Sequence, residues 1–298
     1  MPTSKNPDQW CSRYQGPAAA LSAPSQTLRA SDASVEHDHD QSTTAPGVTT
    51  AVEAGTASAG GLASTINITH QRRVWSRRAA SWDHGDNPGL AKVVGAVVAA
   101  ASPSTSSVVL DMGCGTGQLT IPLARIAARV VAVDVSRSMI DLLHTNADKA
   151  GVHNIEAHVG AIEAMNLPAA SIDLAVSNYA LHHLRDPDKV RLLSATAKWL
   201  KPGGRIVIGD MMFGRGLNAR DRAIIKSKVA ALVKRGPGGL WRLAKNVGRF
   251  TFRLQERPVA METWVRMLQD AGFTKVASTP VVAEAGIVSA EKPETTRP

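Results

Sequence analysis

The sequence predicts an α/β protein built on a mainly parallel sheet. From Val108 onward, apolar runs of strand length alternate with segments of helix length. A parallel sheet with crossover helices reads this way. A glycine-rich stretch separates the first run from the helix behind it, where open sheets of this class make a tight turn. The chain has 298 residues, 44% of them hydrophobic. That is enough for a sizeable core in one large α/β domain.

Each element follows in chain order. Residues 1–69 are rich in Ala, Ser, Thr, Pro and Gly and poor in large apolar side chains. Such a segment buries too little surface to offset its ordering entropy, so a disordered, low-complexity tail is expected. His37, Asp38, His39 and Asp40 within it have ligand chemistry but no scaffold, and no metal site is expected. The ordered domain is expected over 70–298. Arg72 to Asp83 reads as a short basic helix with Trp75 and Trp82, followed by a turn at Pro88-Gly89. Leu90 to Ala101 reads as a helix with a buried face, and Ser102 to Ser107 as a loop. Strands are expected at Val108–Met112, Val130–Asp134, Ile155–Val159, Ile172–Ser177 and Arg205–Asp210. Helices are expected at Gln118–Ala128, Ser138–Ala150 and Pro187–Leu200, the second stopped by Gly151 and the third by Lys201-Pro-Gly-Gly204. The alternation breaks over Gly214 to Arg257. It resumes with a helix at Met261–Ala271 and a final antiparallel hairpin near Phe273–Val282 and Gly286–Glu291. The total is seven strands.

The central motif is Leu110-Asp-Met-Gly-Cys-Gly-Thr-Gly117. Gly113, Gly115 and Gly117 permit a tight turn and close approach of backbone to a ligand. Asp134 ends the second strand about twenty residues on, where open α/β sheets present a carboxylate to ribose hydroxyls. A dinucleotide fingerprint requires a further glycine where Gln118 stands. Asp111 would also repel a pyrophosphate but tolerate a ligand with an amino group. A nicotinamide-dependent oxidoreductase is therefore disfavoured.

Val108 to Gly117 resembles motif I of class I S-adenosylmethionine-dependent methyltransferases of the ubiquinone/menaquinone-methyltransferase-like, small-molecule type. The likeness covers roughly residues 75–291. It includes Val159-Gly-Ala-Ile-Glu163, Ser177-Asn-Tyr-Ala-Leu-His-His-Leu184, Leu200-Lys-Pro-Gly-Gly-Arg-Ile-Val207 and Ala271-Gly-Phe273. The resemblance implies a Rossmann-like, seven-stranded fold and S-adenosylmethionine as cofactor. It implies that Gly113, Cys114, Gly115 and Gly117 pack against the methionine part, with Asp111 near its ammonium group. Asp134 would bind the ribose hydroxyls, and Val135, Met139, Ala161 and Ile162 would surround the adenine. Relatives usually carry Asp where Ala161 stands, so one hydrogen bond to the adenine amino group is expected to be missing. Asn178 and Tyr179 would line the methyl donor. Trp82-Asp83 resembles an aromatic-acid pair placed over the cofactor.

The implied activity is methyl transfer to a small or lipid-like acceptor at O, C or N, by in-line displacement. His182 and His183 are the candidate general bases, because His titrates near neutral pH and this segment follows a strand end. Asp210, ending the fifth strand, either faces the same pocket or caps the surface.

The formal net charge is +9. About a dozen Lys and Arg crowd Gly214–Arg257 against two acids, Asp221 and Glu256. Residues 217–235 read as an amphipathic helix with Ile225, Val229 and Leu232 on one face; Leu240–Val247 reads as a second basic piece with Trp241. Three readings stand for this insertion. It is a solvated lid over the acceptor pocket, a contact for peripheral anionic lipid or an acidic metabolite, or a docking surface for nucleic acid or protein. No nucleic-acid module supports the last, so nucleic acid is not the expected partner. A non-catalytic cofactor-binding protein is the remaining alternative. No apolar run reaches the ~18–20 residues of a membrane span. Cys11 and Cys114 offer no disulfide framework, and a cytoplasmic location is expected.

Overall fold

The computed structural model describes residues 59–82, 88–214, 219–233, 236, 238 and 256–294. Its centre is a seven-stranded sheet. The strands are β1 (Val108–Met112), β2 (Arg129–Asp134), β3 (Ile155–Val159), β4 (Ile172–Asn178), β5 (Leu200–Met211), β6 (Thr274–Pro280) and β7 (Ala285–Glu291). Their order across the sheet is β3-β2-β1-β4-β5-β7-β6. The first five are parallel, with Leu110 opposite both Val131 and Ala175. β7 runs antiparallel to β5 and β6. The chain steps outward from β1 to β3, then crosses back to place β4 on the other side of β1. The carboxyl ends of β1 and β4 therefore part at a topological switch point, where open α/β sheets bind ligands.

The helices are α1 (Ala59–Trp82), α2 (Pro88–Ala101), α3 (Thr120–Ala124), α4 (Arg137–Lys149), α5 (Asp186–Trp199), α6 (Ala219–Val233) and α7 (Met261–Asp270). Two apolar cores cover the two faces of the sheet. One packs α5 and α7 on it through Leu192, Leu193, Trp264 and Leu268; the other packs α2, α3 and α4 through Val93, Val97, Ile121 and Leu143. Met261, Trp264 and Leu268 are buried at helical spacing, which is why α7 lies on the sheet. Gly209 lets α2 approach β5: a Cβ there would stand 2.4 Å from Val97 and 2.9 Å from Val93.

Three elements differ from the sequence expectation. α1 opens at Ala59, so the helix expected from Arg72 reaches back into the segment read as tail. α3 is five residues long where Gln118–Ala128 was expected. Gly117 has φ +95° ahead of it, and the amides of Ala128 and Arg129 bond the Ser107 carbonyl, which draws the chain into β2. Lys201–Gly204 is no free turn. β5 starts at Leu200 opposite Ile172, shifts register there, and exchanges bonds between residues 203–204 and Lys292.

No described helix is long and apolar enough to cross a membrane. His37–Asp40, Asp83 and Leu240–Val247 lie outside the described residues, as do the side chains of Trp82, Ile225 and Leu232.

Candidate functional site

A cleft opens at the switch point, between the carboxyl ends of β1 and β4. Asp111, next to last in β1, forms its floor and is fully buried. Its Oδ2 accepts a 2.6 Å bond from Thr120 Oγ1. Its Oδ1 is buried with no hydrogen-bond partner among the described residues. Burial raises the carboxyl to about 7; the Thr120 bond opposes this and Asp134 adds to it. An unsatisfied buried carboxylate oxygen is costly, and a cationic donor in the cleft would satisfy it.

Asp134 ends β2 and stands across the glycine loop. Its Oδ2 accepts from the Gly115 amide at 3.0 Å and its Oδ1 from the Ser136 amide at 2.8 Å. Burial raises its pKa, and these two bonds pull it down. Each oxygen keeps further acceptor capacity, the arrangement a vicinal diol requires. The loop is pinned to β2 because the Gly113 and Cys114 amides both donate to the Val133 carbonyl. Gly113 has φ +82°, and a Cβ there would collide at 2.3 Å with the Ala180 Cβ. Gly117 does not line the cleft. A Cβ there would stand 2.4 Å from Leu143, so the glycine makes room for packing against α4. Cys114 lines the cleft, but burial pushes its thiol up.

Val135, Met139 and Ile162 form an apolar wall, with Ala161 and Glu163 beside Ile162. Ala161 offers no side-chain acceptor. Burial also raises the pKa of the Glu163 carboxyl.

Asn178 and Tyr179 lead out of β4 along the opposite wall. Asn178 Oδ1 is buried without a partner among the described residues. Tyr179 is held at φ +51°, its amide bonded to the Gly209 carbonyl. A non-glycine residue in that region costs about 1 kcal/mol or more, so neighbouring structure holds it there. Burial, with Glu284 and Asp210, pushes its hydroxyl up to about 12.

The structure separates the two histidines. His183 lines the cleft. His182 does not: it turns beneath, buried, with Nδ1 2.5 Å from Asp210 Oδ1 and its amide on Asp210 Oδ2. Asp210 is fully buried and faces His182, not the cleft. The two imidazole centroids are 4.0 Å apart, and Trp75 meets His183 edge-on at 5.1 Å.

The sequence predicts a helix at α1 but not its place along the cleft. Asn67, Ile68, Gln71 and Trp75 line the cleft. Asn67 Nδ2 donates to the His183 carbonyl, and Ser76 bonds Ser136. The available signal was the spacing of Asn67, Gln71 and Trp75 on one helix face. A hydrophobicity pattern does not register amides.

Fold and site define an open α/β protein with a small-ligand crevice at its switch point. Residues 109–204 match the family described as Methyltransferase domain. The chain is 31% identical over 183 residues to the aklanonic acid methyltransferase DauC of Streptomyces sp., covering 59% of this chain and 79% of that protein. It is 32% identical over 133 residues to a ubiquinone biosynthesis O-methyltransferase of Caulobacter vibrioides, covering 45% of this chain and 50% of that one. This chain spans half or less of the length of such ubiquinone-biosynthesis relatives. The solved DhpI-SAH complex shares the fold, with a TM-score of 0.55 and 16% identity, over 77% of this chain and 98% of that one. The chain belongs to the class I S-adenosylmethionine-dependent methyltransferases.

Proposed function

We propose that this chain transfers a methyl group from S-adenosylmethionine to a small-molecule or lipid-like acceptor, at O, C or N. The observation that carries the reading is the pair of carboxylates at the ends of β1 and β2. Asp111 presents a buried oxygen lacking a partner among the described residues, which suits an ammonium group. Asp134 presents two oxygens oriented by the amides of Gly115 and Ser136, which suits the ribose diol. Val135, Met139 and Ile162 would flank the adenine, and Ala161 would leave its amino group one acceptor short. When bound, the cofactor supplies an electrophilic methyl on a sulfonium, a good leaving group.

Alignment of the acceptor then provides much of the rate enhancement. Asn178 and Tyr179 line the cleft and would stand beside the methyl donor. Where that acceptor must lose a proton, His183 takes it, being the histidine that reaches the cleft. His182 is a positioning residue. Asp210 fixes its Nδ1, and its ring supports His183 from below. Its relatives, a ubiquinone biosynthesis O-methyltransferase and an aklanonic acid methyltransferase, support a small-molecule acceptor.

The test is transfer of labelled methyl from S-adenosylmethionine into fractionated cell extract by the full chain. Label in the organic-soluble or small-metabolite fraction is expected. Label confined to RNA, DNA or protein would replace this reading with a macromolecular target docked through residues 214–257.

A further inference from the structure

We infer that Lys189 is a positioning residue for the reaction, holding His183 at the cleft by fastening the Arg257 backbone to the turn that carries both histidines; this rests on the methyl-transfer reading above. Lys189 lies near the start of α5 and is only 1% exposed. A buried ammonium is costly unless it is paired and hydrogen-bonded. Its Nζ donates to Asp186 Oδ1 at 2.9 Å and to the Arg257 carbonyl at 2.6 Å. The first bond stays within α5. The second reaches a residue 68 positions along the chain.

Arg257 stands where the chain returns from the basic insertion toward α7. Both of its backbone polar groups are pinned. The carbonyl takes the Lys189 ammonium, and the amide donates to the His182 carbonyl at 2.6 Å. Lys189 thus reaches the turn Leu181–His183 through a single residue.

Other elements hold other parts of that turn. Asp210 of β5 accepts from the His182 amide and pairs with its Nδ1, and Asn67 of α1 donates to the His183 carbonyl. The His182 carbonyl belongs to the peptide that joins the two histidines. Rotation of this peptide would swing His183 relative to His182, and the Arg257 amide resists it. The imidazole that lines the cleft is therefore set partly from α5, by a charge that does not itself line the cleft.

Lys189→Met keeps the packing and drops the hold. Replacing a buried charge by an apolar side chain is tolerated where no buried partner is left charged, and the Asp186 side chain is 37% exposed. The experiment measures labelled methyl transfer by the full chain into organic-soluble cell extract at one fixed concentration, with S-adenosylmethionine varied. Lys189→Met is expected to lower the maximal rate at least tenfold, with KM for S-adenosylmethionine and calorimetric affinity for S-adenosylhomocysteine within threefold. In a chain already carrying His183→Ala, the same substitution is expected to change the rate less than twofold, because the two residues act as one unit. Should Lys189→Met fail to fold, Asp186→Asn carries the same comparison, with at least a threefold loss expected. A smaller loss, an equal loss with and without His183, or a cofactor affinity that falls as far as the rate would each overturn the inference. Absence of transfer by the unaltered chain would instead strike at the underlying methyl-transfer reading.

Discussion

Asp111→Asn should make the ligand-free chain more stable and the loaded chain worse. Asp111 is held at about 7 against an ordinary 3.8, chiefly by burial. A carboxyl raised in the folded state keeps its proton there while the unfolded chain has lost it. The folded chain then binds more protons between about pH 4 and 7, and stability falls as pH rises through that window. At about 1.4 kcal/mol per pH unit, the rise sets a ceiling of about 4 kcal/mol on the loss at pH 8. Asparagine keeps an acceptor for Thr120 and has no charge to bury, so the variant escapes the loss. Urea unfolding of both proteins without ligand, at pH 5 and pH 8, reads it directly. The advantage of the variant should grow by about 2–3 kcal/mol between the two conditions, because the window from pH 5 to about 7 holds most of the effect. Affinity for S-adenosylhomocysteine at pH 8 should drop by about 10- to 100-fold, the worth of about 1.5–3 kcal/mol for a charge-assisted bond. A stability difference that is flat with pH would refute the burial argument. Undiminished affinity would remove Asp111 from the ammonium site.

Other perturbations separate the remaining parts. Asp134→Ala strips the diol site and leaves the amides of Gly115 and Ser136 without their acceptor; calorimetry should show affinity for S-adenosylhomocysteine falling at least 30-fold, and a loss under threefold would displace the site. Gly113→Ala drives a Cβ into Ala180, whereas Gly115→Ala meets open space. Thermal unfolding should therefore show the first as the more destabilised, by about 1–3 kcal/mol from overpacking, and equal melting points would contradict the close approach. His183→Ala should lower kcat at least 30-fold for an acceptor that must lose a proton, with cofactor affinity within threefold. Asp210→Asn should give a smaller fall and a shifted pH–rate profile, and an unmoved profile would make Asp210 purely structural. Deleting residues 1–58 should leave cofactor affinity intact, while deleting residues 1–75 should cost at least tenfold, because α1 lines the cleft and bonds Ser136. Equal affinities of the two truncations would show that α1 does not build the site.

Much of this molecule was legible before any coordinates. The largely apolar runs of β1, β2 and β4 marked the strands because a strand covered on both faces is mostly apolar; the edge strand β3 shows instead the alternation of Ile155, Glu156, Ala157, His158 and Val159. The glycines of the first loop, with Asp111 before them and Asp134 at the next strand end, located the cofactor side. A strand–turn–helix unit puts those residues at the switch point whatever surrounds it. Such features are local, and local sequence carries them.

Tertiary structure decided the rest. Nothing in Leu181-His-His183 says which histidine reaches the cleft. Asp210 makes that choice by capturing His182 from a neighbouring strand, 28 positions along the chain. Gly117 has the same chemistry as Gly113, yet Leu143 of α4 assigns it to packing. α1 reads alone as a basic surface helix, and it becomes a wall of the site only because it crosses to Ser136 and His183. These outcomes depend on which distant groups arrive at one point in space, and a sequence pattern encodes the faces of an element without naming what each face will meet.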